Sequence, residues 1–320
     1  MALSILLLLT GFLLVIKGAD FLTDGASSLA KRNRVSELTI GLTIVAFGTS
    51  APELAVNLMA AVRGYDNISM GNIIGSNIFN LMLILGISGL IYPLVVQSKT
   101  VWKEIPFSFL AGVILLVLAN DSFFRHSAVN MISRFDGLLL LFFFILFLYY
   151  AFSHMRDEKK SSSGEFKVYN VPKTVLLIVL GFACLIIGGR LIVNKAVDLA
   201  KILGVSDKII SLTIIASGTS LPELATSAVA AYKRRSDLAI GNVIGSNIFN
   251  LLFILGITSL VRPVHYSLSF TPDLFIYLIA TLFVFIAMFT GRKGKLDRWE
   301  SALLLTGYIA YLIFLVHQKG

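Results

Sequence analysis

Residues Gly41 to Ala61 read GLTIVAFGTSAPELAVNLMAA, and Ser211 to Ala231 read SLTIIASGTSLPELATSAVAA. Each stretch is apolar and about as long as a bilayer-crossing helix. Each carries a glutamate directly after a proline, Glu53 after Pro52 and Glu223 after Pro222. A carboxylate in hydrocarbon is costly, so one such residue is by default a candidate for function. Two in the same local sequence argue against accident. A shift of 170 positions, from Glu53 to Glu223, also carries GNIIGSNIFNL (Gly71 to Leu81) onto GNVIGSNIFNL (Gly241 to Leu251). The chain is an internal duplication.

Working outward, 57% of the 320 residues are hydrophobic and 14% charged. Soluble domains run nearer about 45–50% and about 25%, so the class is a polytopic helical membrane protein. Apolar runs bounded by charge, Gly or Pro give ten spans: 2–29, 37–62, 68–92, 103–120, 135–153, 172–200, 208–232, 238–261, 271–290 and 298–317. Met1 leads straight into an apolar run with no basic segment before it, which reads as the first span and not a cleaved signal. The expected fold is an all-α membrane protein of ten transmembrane helices. Residues 1–153 form the first five-helix repeat, 154–173 a polar linker, and 174–320 the second repeat. Five spans per half is an odd number, so the halves lie in opposite orientations, the inverted-repeat plan of secondary transporters.

The net charge of +9 sits in loops, where membrane orientation accounts for it and nucleic acid does not. With the N-terminus outside, seventeen Lys and Arg fall on the cytoplasmic side and seven outside. Both termini are therefore expected outside, the linker in the cytoplasm, and the protein in the plasma (inner) membrane. The single Cys184 excludes a disulfide framework. There is no HExxH pair and no GxxxxGK[ST] loop, and His126, His154, His265 and His317 fall in loops or at helix ends, so neither an enzyme nor an ATP-driven pump is indicated. No feature demands an obligate protein partner.

Helical spacing puts Ala46, Thr49/Ser50, Glu53 and Asn57 on one stripe, and Ala216, Thr219/Ser220, Glu223 and Ser227 on its copy. The following spans give Asn72, Ser76 and Asn80, and Asn242, Ser246 and Asn250. The four spans have their midpoints near residues 50, 80, 220 and 250, so the polar stripes meet at bilayer centre. Pro52 and Pro222 lack an N–H and disturb the turn that begins at Gly48 and Gly218, freeing backbone carbonyls. Carboxylate, hydroxyl, amide and carbonyl oxygens are the ligands of a hard cation such as Ca²⁺. The lack of a His or Cys cluster argues against Zn²⁺ or Cu⁺. Blander readings compete. Small residues pack helices closely, and amides glue helices together. Asn77 and Asn247 read as structural, and Lys17, Asp20, Arg190 and Lys195 as snorkelling helix-end residues.

Gly48-Thr49-Ser50-Ala51-Pro52-Glu53 with Gly75-Ser76-Asn77-Ile78-Phe79-Asn80, and the copies Gly218 to Glu223 and Gly245 to Asn250, resemble the two α-repeats of the sodium/calcium exchanger family. That resemblance implies an ion core of helices two, three, seven and eight, with helices one and six sliding across it. By position it implies that Glu53 and Glu223 bridge Ca²⁺ and that Thr49 and Thr219 supply carbonyl oxygens to it. Ser50, Ser76, Ala46 and their partners Ser220, Ser246 and Ala216 would be flanking Na⁺ ligands. Many family members have aspartate where this chain has Asn250, opposite Asn80. With Asn at both positions the centre has two titratable carboxylates; Ca²⁺ or two Na⁺ would neutralise it.

The expected function is antiport: Ca²⁺ leaves the cytoplasm as Na⁺ enters, with either load held on the same glutamate pair. No cofactor is expected. Ca²⁺/H⁺ exchange is the alternative, the glutamates then taking protons in place of Na⁺. A Ca²⁺-permeable channel is a third reading, against which the paired halves and the proline breaks both argue.

Overall fold

The computed structural model describes residues 2–95, 101–120, 130–153, 168–202, 216–290 and 294–318. Before the linker lie α1 (Ala2–Asn33), α2 (Glu37–Thr49), α3 (Ala51–Arg63), α4 (Asp66–Ile91), α5 (Val101–Ala119) and α6 (Arg134–Ser153). After it come α7 (Val171–Ile202), α8 (Leu221–Tyr232), α9 (Ser236–Val261), α10 (Thr271–Ala287) and α11 (Arg298–Gln318). Seven of the described helices are long and apolar enough to cross a bilayer, or eight if the bent pair α2–α3 is one span. The protein is helical and membrane-embedded. Helix α7 begins at Val171, inside the stretch that the sequence assigns to the linker, because Pro172 sits in its first turn, where no N–H is needed. Linker residues 154–167 and the first part of the expected seventh span, 208–215, lie outside the described residues.

Four two-residue strands are present: β1 (Leu94–Val95), β2 (Met131–Ile132), β3 (Val264–His265) and β4 (Lys295–Leu296). β1 pairs antiparallel with β4, and β2 with β3. Each ribbon therefore joins a segment before the linker to one after it. The 170-residue shift carries β1 onto β3, and α6 corresponds to α11 as β2 does to β4. The two ribbons are exchanged by the repeat, as a twofold relation between the halves requires. Matching caps open α6 and α11. Asp136 accepts from the Ser133 N–H at 2.9 Å, and Glu300 accepts from the Asp297 N–H at 2.7 Å.

Helices α4 and α9 form the centre, with 78% and 83% of their apolar windows buried, against 33% for α1 and 28% for α7. The two 32-residue helices α1 and α7 cross each other outside this core. A Cβ on Gly11 would lie 3.1 Å from the Gly188 carbonyl oxygen, and one on Gly18 would lie 2.9 Å from that of Gly181. As the residue number rises along α1 it falls along α7, so the helices are antiparallel, and glycine lets their backbones touch.

One end of α1 is tied to the core by charge. Lys233 pairs with Asp20 and, at 2.9 Å, with Asp24. Arg235 pairs with Asp24 at 3.0 Å and donates to the Thr23 carbonyl at 2.6 Å and to Ser27 Oγ at 2.9 Å. Asp20 is thus an ion-pair partner and not a snorkelling residue. The repeat puts Arg190 and Asn194 in the places of Asp20 and Asp24, and Arg63 and Tyr65 in those of Lys233 and Arg235. The acidic side of this cluster has no counterpart in the other half.

Candidate cation-binding site

The proline-bearing helices break where the sequence demands. Helix α2 ends at Thr49 and α3 begins at Ala51, with a bend of 46° between them. Ser50 sits at the joint with φ −81° and ψ 7°, and Ser220 repeats it with φ −89° and ψ 9°. Proline without an N–H at the second position of each new helix forces the interruption. The interruption turns each serine toward the opposite half. Ser50 Oγ donates to Glu223 Oε1 at 2.9 Å, and Ser220 Oγ donates to Glu53 Oε1 at 2.8 Å. Ser220 also reaches Ser76 at 3.1 Å, and Ser246 reaches Glu223 at 3.3 Å. Crossed hydroxyls thereby gather both carboxylates into one locus, and each glutamate is only 1% exposed. Neither faces lipid.

The threonines cross in the same way. Thr49 Oγ1 donates to Asn242 Oδ1 at 3.1 Å, and Thr219 Oγ1 to Asn72 Oδ1 at 3.4 Å. Asn242 in turn donates to Ser227 at 2.9 Å, while Asn57 donates to the Glu53 carbonyl at 2.9 Å and accepts from Ser69 at 2.7 Å. Asn72 and Asn242, which the i, i+4, i+8 stripe already contains, therefore anchor the threonine turns. Ala46 is buried against Gly245, where an added Cβ would stand 2.8 Å from the Ala46 methyl. Ala216 opens a single helical turn, Ala216–Gly218; its side chain is outside the described set.

Asn80 and Asn250 each lie in a wide π-helical turn, Phe79–Ile84 in α4 and Phe249–Ile254 in α9. Such turns are uncommon and concentrate at functional positions. Asn80 Nδ2 donates to Asn247 Oδ1 and Asn250 Nδ2 donates to Asn77 Oδ1, both at 3.0 Å. Asn77 and Asn247 thus each accept from an amide of the opposite half.

Four buried oxygens in this region have no hydrogen-bond partner: Glu53 Oε2, Glu223 Oε2, Asn80 Oδ1 and Asn250 Oδ1. Buried acceptors are normally satisfied, so a cluster of four asks for a ligand that takes lone pairs. All four are hard oxygens, suited to Ca²⁺ or Na⁺ and unsuited to softer metals. Among the described residues no group of three or more His, Cys, Asp or Glu could hold a metal ion, so neutral oxygens must complete any shell.

The model of the family described as sodium/calcium exchanger protein matches residues 3–153 and 173–317. The chain belongs to the sodium/calcium exchanger family. Family relatives match over nearly the whole chain. The sodium/calcium exchanger MaX1 of Methanosarcina acetivorans is 32% identical over 350 residues, covering 98% of this chain and 99% of the relative. The inner membrane protein YrbG of Escherichia coli (strain K12) is 33% identical over 325 residues, covering 98% and 97%. Among solved structures, the sodium-calcium exchanger NCX_Mj, soaked with 10 mM Na⁺ and 10 mM Sr²⁺, is 31% identical with a TM-score of 0.84, covering 98% of each chain. The exchanger fold is therefore shared along its length, and the protein is a multi-pass membrane antiporter.

Proposed function

We propose that this exchanger moves Ca²⁺ out of the cytoplasm against entering Na⁺, both ions using the locus between Glu53 and Glu223. The observation that carries this reading is the set of four unpartnered buried oxygens, two of them amide oxygens. Protons would need the carboxylates alone. A dehydrated cation uses all four, and Ca²⁺ takes 6–8 oxygens in flexible geometry. The hydroxyls of Ser50, Ser76, Ser220 and Ser246 and the backbone around Thr49, Thr219, Ala46 and Ala216 would complete the shells.

An empty site with two ionised carboxylates is too costly to seal in a dry core. Occlusion then requires a load, either one Ca²⁺ or monovalent ions, and transport becomes an exchange and not a leak. Ten helices in two inverted halves, 1–153 and 174–320, agree with the repeated elements, the exchanged ribbons and the crossed hydrogen bonds. Both termini would face outward and the linker inward. A reporter fused after Gly320 should then be active in the periplasm and silent in the cytoplasm; the reverse pattern would overturn this orientation.

The direct test is Ca²⁺ uptake into proteoliposomes with the pH clamped on both sides. An imposed outward Na⁺ gradient should drive uptake. If uptake follows only an imposed pH gradient, the glutamates exchange protons and the Na⁺ reading falls. Conductance without any counter-ion would point to a channel.

A further inference from the structure

Resting on that reading of the site, we propose that Asn247 is a positioning residue that makes the site amide Asn80 present oxygen, not nitrogen, to the cation. An amide side chain has a donor end and an acceptor end of nearly the same shape. Only the oxygen end can ligate a cation, so something must choose the rotamer. Asn80 and Asn250 are buried in the helical core, where water cannot make that choice.

The choice at Asn80 is traceable to a backbone group. Asn247 Nδ2 donates to the Asn77 carbonyl at 3.5 Å, and a carbonyl can only accept. That contact commits the nitrogen end of Asn247, leaving its Oδ1 for Asn80 Nδ2 at 3.0 Å. The Asn80 oxygen is then the end left over, buried and unpartnered. On the other side, Asn77 Oδ1 takes Asn250 Nδ2 at 3.0 Å and leaves the Asn250 oxygen unpartnered. Each amide of one half thus donates to the other half, across the α4–α9 contact, but only on the Asn80 side does a backbone group fix the partner.

The two locks differ in one atom. Asn247 is anchored by a main-chain carbonyl, whereas Asn77 Nδ2 is buried without a partner. Asn77 can therefore turn over and donate to residue 250, but Asn247 cannot turn without breaking its anchor. It follows that position 250 can accept a carboxylate and position 80 cannot. An aspartate at 250 would receive the spare Asn77 N–H, whereas one at 80 would confront the fixed Asn247 oxygen.

The experiment is equilibrium ⁴⁵Ca²⁺ binding to the purified full-length protein, with thermal unfolding recorded for each variant. Asn247→Ala should weaken Ca²⁺ binding by about tenfold or more, the usual scale for loss of a group that orients a ligand, and Asn77→Ala should cost less. Asn80→Asp should bind Ca²⁺ at least about tenfold more weakly than Asn250→Asp, although the two carry the same change at twofold-related positions. The cost of Asn247→Ala should also shrink in an Asn80→Asp background, because a carboxylate has an oxygen at either end and no longer confronts the Asn247 oxygen. A merely structural role predicts the same cost in both backgrounds. Equal affinities for Asn80→Asp and Asn250→Asp, or an undiminished cost of Asn247→Ala beside Asn80→Asp, would overturn the inference while leaving the exchange reading intact. Absence of Ca²⁺ binding by the unsubstituted protein would overturn both.

Discussion

Replacing Glu223 by Gln should abolish Na⁺-driven Ca²⁺ uptake, and Glu53→Gln should do the same. The amide keeps the oxygen that accepts from Ser50 or Ser220, so the crossed hydrogen bonds and the packing survive. What disappears is half of the negative charge facing the ion. A buried charge that loses its partner costs about 3–5 kcal/mol, which corresponds to a loss of roughly a hundredfold or more in affinity. Uptake measured in proteoliposomes should fall to background while the variant protein elutes and melts like the parent. Exchange at more than a tenth of the parent rate in either variant would remove that glutamate from the site.

Reversing charge at Arg235 should have the next largest effect, by a different route. Arg235 is mostly buried and donates to Asp24, the Thr23 carbonyl and Ser27 on α1, and its charge also acts on Glu37 of α2. Arg235→Glu would set a carboxylate against Asp24 and leave the Thr23 carbonyl without its donor. Lys233 cannot compensate, because it already serves Asp20 and Asp24. The end of α1 should then lift from α8 and expose the core on that side. In a Cys184→Ser background, a cysteine introduced at Thr23 should react with a membrane-impermeant maleimide about tenfold faster or more when Arg235→Glu is present, the scale set by an uncompensated buried charge. No change in labelling would show that packing alone holds α1 down. The pseudo-equivalent change, Tyr65→Glu, removes no such pair and should leave labelling at position 23 unaltered.

Much of this site is legible in the sequence because the duplication writes it twice. Glu53 with Glu223 stands out by chemistry, and Ser50 with Ser220 by helical spacing from them. The structure adds the crossing, in which each serine serves the glutamate of the other half. No local pattern encodes that, because the partners lie 173 and 167 positions apart. Asp20 illustrates the same limit. As a lone acid near a helix end it looks like a surface residue, and its partner Lys233 is far along the chain. Asn77 and Asn247 look like packing residues because they are off the polar stripe; their contact with Asn250 and Asn80 depends on how α4 meets α9. The π turns and the two short ribbons escape notice for a different reason. A single extra residue in a turn, or a pair of two-residue strands, carries too little periodicity to register.

The exchanged ribbons also bear on how the molecule is made. Synthesis proceeds from the N-terminus, so Glu53 enters the bilayer long before Ser220 exists, and β1 waits for β4 until nearly the whole chain has emerged. A nascent first half must therefore hold Glu53 without its Ser220 donor until the second half arrives. A ribosome stalled after the linker would display a fragment able to insert yet unable to mature, a ready substrate for quality-control proteases.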